Sequence, residues 1–237
     1  MATLGLPDIF VDPPVALPEP PCDPIEVVEI NNAIEIIVCR KVSDIHVSGD
    51  SGTTTAVVGK KVSDSSFTAK AEKGDESTIA FNTTKVNKSE IVVKGKGSGV
   101  VNVNTGRFNN SSINFNKKSA DSIRFNNGVE VRNVTVDASR GADTITFKEN
   151  AIIKGTNEIT LGQGKDVLEL PASKKGKGKI VVTDLADNDT IKIGDESFSG
   201  KDILNGEVDL PKYIQLGSQL EDLEVIFNDI PEVISCP

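Results

Sequence analysis

Aromatic residues make up only 4% of the 237 residues, with no Trp and a single Tyr. The stacking platforms on which many carbohydrate- and base-binding surfaces rest are therefore scarce. Histidine occurs once, as His46 between Ile45 and Val47, where strand alternation turns it outward; one imidazole without a second His or a Cys beside it does not make a catalytic or metal centre. The three cysteines, Cys22, Cys39 and Cys236, are odd in number and scattered. They have neither a zinc spacing nor the density of a disulfide framework, so reduced thiols are expected. No run of 18 apolar residues is present, which excludes a membrane-spanning helix by hydropathy. Residues 1–8 carry no basic stretch and no apolar core of the secretory kind, so export by that route is not expected. A formal net charge of −9 argues against nucleic acid and anionic membrane as partners.

What the chain does have is a repeat. The segment Ala142-Asp143-Thr144-Ile145-Thr146-Phe147 recurs as Ala120-Asp121-Ser122-Ile123-Arg124-Phe125, Lys165-Asp166-Val167-Leu168-Glu169-Leu170 and Asn188-Asp189-Thr190-Ile191-Lys192-Ile193. Its apolar anchors Ile79, Val101, Ile123, Ile145, Leu168, Ile191 and Ile214 are spaced by 22 or 23 residues, and Ile34 and Val57 prolong the series. Each anchor opens an apolar-x-apolar pair, the period-two signature of a strand with one buried face. A second pair follows half a repeat later, from Phe67-x-Ala69 to Ile180-x-Val182. A lone apolar residue between them (Val86, Phe108, Val129, Ile152) marks a third wall or a corner. One such repeat cannot bury its apolar face alone, whereas stacked repeats can, each strand pairing with its equivalent roughly 4.8 Å away. The expectation is an all-β chain: a single parallel β-solenoid of about nine coils, on the order of 40 Å long.

Polar residues keep the same period. Asn82, Asn104 and Asn126 form one column, suited to left-handed corners and stacked amide bonds. Asp121, Asp143, Asp166 and Asp189 form another, placed to accept backbone N–H groups in Asx-type turns. Lys73, Lys96, Lys118 and Arg140 recur at steps of 23, 22 and 22 and describe a basic ridge, a candidate surface for an anion or glycan. Lys174-Lys175-Gly176-Lys177-Gly178-Lys179 lacks phosphate-loop spacing and is expected as an exposed corner loop.

The ends differ in kind. Residues 1–24 hold seven prolines among exposed-looking apolar residues, a composition that favours an extended conformation and rules out a helix or central strand. Such an arm suits lying along another surface, with Leu6, Pro7, Ile9, Phe10, Val11, Pro13, Pro14 and Leu17 as its contact residues. Residues 25–50 are expected as an N-terminal cap with the first coil, 51–216 as the regular solenoid, and 217–237 as a C-terminal cap and tail.

Two resemblances follow from these residues. Gly162-x-Gly164-x-Asp166-x-Leu168, with thinner versions at Gly141-x-Asp143-x-Ile145 and Asp187-x-Asp189-x-Ile191, resembles the RTX nonapeptide of parallel β-rolls. The resemblance implies calcium at Asp143, Asp166 and Asp189; the departures are Leu161 in place of the first glycine and a repeat of 22–23 residues instead of nine. More broadly, the apolar arm, the repetitive shaft and the low aromatic content resemble β-solenoid structural proteins of bacteriophage virions, of decoration, spike or fibre type. That resemblance implies a non-enzymatic structural or docking protein without cofactors or catalytic residues. It would be made in the host cytoplasm, located in the virion, anchored to other virion proteins through the arm, homo-oligomeric and able to meet cell-surface polysaccharide. The alternatives are an RTX-like calcium-binding adhesin module at the bacterial surface or outside the cell, and a polysaccharide-acting β-helix of tailspike or lyase type.

Overall fold

A computed structural model of the chain describes residues 25–30, 33–116 and 119–217. It is a parallel β-solenoid of about seven turns over residues 33–193, with one five-residue helix, Gly200–Leu204. Three walls enclose the core. Wall 1 runs from Ala33–Val38 through Ser98–Val103, Ser122–Phe125, Thr144–Phe147 and Val167–Leu170 to Thr190–Ile193. Wall 2 contains Val42–Ser43, Arg107–Asn109 and Glu130–Arg132. Wall 3 runs from His46–Gly49 through Ser66–Ala71, Glu90–Gly95, Ser112–Asn116 and Thr135–Asp137 to Gly178–Val182 and Ile214–Leu216. The long strands Thr54–Ser63 and Glu76–Asn87 bend from wall 1 into wall 2, and Ile152–Thr160 bends from wall 2 into wall 3.

Register makes the columns. On wall 1, Thr55, Ile79, Val101, Ile123, Ile145, Leu168 and Ile191 lie directly over one another. On wall 2 the inward column is Val42, Val62, Val86, Phe108, Val131 and Ile153. On wall 3 it is Val47, Phe67, Ile91, Ile113, Val136, Ile159, Val182 and Leu216. Phenylalanines from all three walls meet along the interior: Phe67–Phe81 at 5.1 Å edge-on, Phe81–Phe108 at 6.0 Å, Phe108–Phe125 at 5.9 Å and Phe125–Phe147 stacked at 4.7 Å. These five phenylalanines thus serve packing, each contact adding roughly 1 kcal/mol beyond area burial.

The structure departs from the periodic expectation in four places. Val57 stands opposite Phe81, so the equivalent of Ile79 in that coil is Thr55. Val131 and Ile153 fill the wall 2 column; Val129 is buried at the preceding corner, and Ile152 faces partly outward. Ile214 sits at a regular step from Ile191 but pairs with Ile180 on wall 3. The stack accordingly has about seven turns where anchor counting gives about nine. The reason lies in the chain after Ile193: it folds back as Glu196–Ser199, antiparallel to Thr190–Ile193 with Phe198 opposite Ile191. It then enters the short helix, capped by the Ser199 hydroxyl accepting from the Asp202 N–H at 3.1 Å, before rejoining wall 3.

Wall 1 is capped in the same manner at both ends. Ile25–Ile30 runs antiparallel to its first strand, as Glu196–Ser199 does to its last. A reversed strand at each end occupies the hydrogen-bonding edge of this wall that a parallel stack would otherwise offer to another chain.

Thr55 is the imperfection in the core. It is 1% exposed in a column of Ile, Val and Leu, and its Oγ1 is buried without a hydrogen-bond partner. Thr55→Val keeps the β-branched shape and removes the stranded hydroxyl, so a gain of about 1 kcal/mol in unfolding free energy is expected in urea titrations. A loss of stability would mean that the hydroxyl is satisfied in solution.

Candidate polar groove and the buried aspartate column

The corner between walls 2 and 3 is built from a left-handed residue in six successive coils. Asp44, Asp64, Lys88, Asn110, Asn133 and Gly155 have φ of 60°, 53°, 51°, 47°, 51° and 60°. Asp, Asn and Gly tolerate this region, and Lys88 occupies it against its preference. A serine follows in three of these turns, and its hydroxyl donates to the carbonyl two residues back: Ser65 to Ser63 at 2.7 Å, Ser89 to Asn87 at 3.2 Å, and Ser111 to Asn109 at 2.7 Å. The same hydroxyls accept from the preceding coil, Ser65 from the Ile45 N–H and Ser111 from the Ser89 N–H, both at 3.1 Å. Outside them, the Asn110 amide donates to Asn87 at 3.2 Å and Asn133 to Asn110 at 3.0 Å.

This corner forms a shallow groove of about 640 Å³ along the axis, lined by side chains from five coils, His46 and Asp64 at one end and Asn133 and Thr135 at the other. Its walls are hydroxyls and amides with a few charges; the His46 Nδ1 lies 2.6 Å from the Ser66 hydroxyl. The groove can exchange hydrogen bonds with a polar ligand but offers no aromatic platform. The sequence carries its signal as Val62-Ser63-Asp64-Ser65, Val86-Asn87-Lys88-Ser89 and Phe108-Asn109-Asn110-Ser111: an apolar residue, two polar residues, then serine.

The aspartate column lies at the opposite corner and is buried: Asp121, Asp143, Asp166 and Asp189 are 4%, 2%, 0% and 1% exposed. Their Oδ1 atoms accept backbone N–H groups from the coil before: Gly99 to Asp121 at 2.7 Å, Asp121 to Asp143 and Asp143 to Asp166 at 2.8 Å, and Asp166 to Asp189 at 3.1 Å. The backbone bonds expected within one turn thus run between turns, with local ones added at Asp189, from the Ala186 N–H at 2.8 Å, and at Asp121, from the Ser119 hydroxyl at 3.5 Å. Ser77 has the same role earlier, its hydroxyl accepting from the Gly52 N–H at 3.1 Å. Asp184, unmarked by the repeat, accepts from the Leu161 and Gly162 N–H groups at 2.7 and 2.8 Å. The exposed Asn column is joined by amide bonds, Asn104 to Asn82 at 2.8 Å and Asn126 to Asn104.

The calcium candidates Asp143, Asp166 and Asp189 therefore sit inside the wall, bonded to backbone; among the described residues no three acidic, His or Cys side chains form a metal-binding group. Lys73, Lys96 and Arg140 are exposed at the turns between walls 3 and 1, and Lys118 lies outside the described residues. None of the three makes an ion pair with a described acid, and the neighbouring aspartates face inward. The arm residues Leu6, Pro7, Ile9, Phe10, Val11, Pro13, Pro14 and Leu17 also lie outside the described residues. Cys39 is disulfide-bonded, which corrects the expectation of reduced thiols: pairing depends on proximity in the fold, which spacing does not reveal. Cys22 and Cys236 are outside the described residues. No protein-family model, no curated protein and no solved structure matches the chain.

Burial pushes the Asp166 carboxyl up from its ordinary value of 3.8 to about 6, against the backbone bond from Asp143 and with help from Asp189 and Asp184. Its Oδ2 is buried without a hydrogen-bond partner. Asp189 is raised as well, first by burial. A raised carboxyl binds its proton more tightly in the folded state, so stability increases as pH falls through about 6 toward 3.8. Glu169, lowered chiefly by its bond to Lys192, acts in the opposite sense only below its ordinary value of 4.5. The melting temperature should rise from pH 7 to about pH 5, and Asp166→Asn, which keeps the Oδ1 acceptor, should flatten that rise. A native profile that falls over this interval would refute the assignment. Added millimolar calcium should leave the melting temperature unchanged, since a ligand stabilises only by binding the folded state; an upward shift would place a calcium site in the chain.

Proposed function

We propose that the protein is a non-enzymatic structural and docking component of a larger assembly, most consistent with a bacteriophage virion element of decoration, spike or fibre type. The observation that carries this reading is how the recurrent acids and amides are used. Asp121, Asp143, Asp166 and Asp189 are buried and bonded to backbone, and Asn82, Asn104 and Asn126 bond one another. In an enzyme the repeated carboxylates of a β-helix would converge on a substrate; here they join coil to coil and stiffen a rod about 30 Å long. A reversed strand at each end of wall 1 suits a projecting element of fixed length. The disulfide at Cys39 supports a final location outside the reducing cytoplasm, compatible with a particle or cell surface.

Attachment through residues 1–24 belongs to the same proposal. Light scattering of the native protein should report a multimer or a larger particle, and removal of residues 1–24 should release the solenoid as a smaller species. A monomer with and without the arm would overturn the docking role.

A further inference from the structure

Wall 2 carries a feature that a search at a constant repeat length passes over. Lys61 stands directly opposite Lys85, and Arg107 directly opposite Glu130. Because Val42 faces Val62 and Val86 faces Phe108, the residues before them, Lys41 and Arg107, continue the same outward row. Four successive coils thus present Lys41, Lys61, Lys85 and Arg107 in line, roughly 4.8 Å apart. Lys41 and Arg107 are exposed, and Lys61 and Lys85 half-buried along the strand face.

Like charges directly opposite one another on a sheet are destabilising. The Lys61 ammonium is held below its ordinary value by desolvation first, then by Lys41 and Lys85, with Lys88 adding to the effect and Asp64 opposing it. Among the described residues none of the four side chains makes an ion pair or hydrogen bond, whereas Glu130, next in the row, is taken by Lys154 at 2.8 Å. In a chain of net charge −9, four cations are kept in register with no ion-pair partner among the described residues.

The polar groove runs beside this row on the adjacent corner, and Lys88, which lines the groove, acts on Lys61 in the row. We propose that the outer face of wall 2 and this groove bind an acidic polysaccharide laid along the solenoid axis. Its carboxylate or sulfate groups meet Lys41, Lys61, Lys85 and Arg107, and its hydroxyls exchange hydrogen bonds with the amides and hydroxyls of the groove. A single-stranded nucleic acid is the poorer occupant: base stacking needs exposed rings, and Phe67, Phe81 and Phe108 of these coils are fully buried.

The test is titration calorimetry of the full chain with heparin, polygalacturonate, dextran and oligo-dT. Expected is binding of heparin, polygalacturonate or both, weakening as salt rises, with dextran and oligo-dT at least about tenfold weaker. Binding of one acidic polymer alone assigns the recognised anion as sulfate or carboxylate. The triple variant Lys61→Ser/Lys85→Ser/Arg107→Ser should lose about tenfold or more in affinity and reduce the salt slope by two to three, roughly one counterion per cation removed. Its melting temperature should stay close to that of the native chain, because the mutual repulsion of the row goes with the weaker attractions of Lys61 to Asp64 and Arg107 to Glu130, which separates lost binding from lost folding. Lys73→Ser/Lys96→Ser, at a different corner, should change affinity less than about twofold. Failure of both acidic polymers to bind, equal loss in the two variants, or oligo-dT binding as tightly as either polymer would overturn the proposal. Because this readout is binding by the isolated chain, it is independent of the assembly measurement.

Discussion

Parallel pairing in register places every residue of one coil directly over its counterpart in the next. From that constraint come the apolar columns, the interior run of phenylalanine rings, and the ladders of Asn and Asp. Register also works against the chain: a side chain badly suited to stacking is brought next to its own kind, as with Lys61 between Lys41 and Lys85. A stack therefore shows what each position is for. A column of opposed or neutral groups is a solution to packing, and a column of like charges needs a reason other than packing.

The buried aspartates show how costly groups are accommodated. A carboxylate in the wall loses its hydration, and one backbone bond through Oδ1 does not restore it. The four residues nevertheless connect five successive coils through 22- and 23-residue steps, tying each turn to the next by a bond that a hydrophobic residue could not make. Ser77 makes the equivalent connection with a neutral hydroxyl, so the position requires an acceptor and not a charge.

The architecture was legible from apolar-x-apolar pairs because strand faces tolerate little variation in position. Corners vary more, and that is where the sequence misled. The left-handed residues Asp44, Asp64, Lys88, Asn110, Asn133 and Gly155 recur at steps of 20, 24, 22, 23 and 22, with four residue types. The row Lys41, Lys61, Lys85 and Arg107 shares the uneven steps of 20, 24 and 22, because turns of different length lie between the strands. A search at 22–23 residues finds Lys73, Lys96, Lys118 and Arg140 instead, which keep the period in sequence, while Lys73 and Lys96 occupy exposed turns. Ile214 fails for a related reason: a hairpin and helix intervene, so the correct interval leads to the wrong wall.

The reversed strands at the two ends confine any change of length to the interior. A coil gained or lost between them moves the rod by one strand spacing, about 4.8 Å, leaving both closures intact. Each such coil also brings its own rung to every column. Reach and valency are consequently coupled and change in whole steps, so that for this architecture the number of contacts along its flank is a measure of how far it extends.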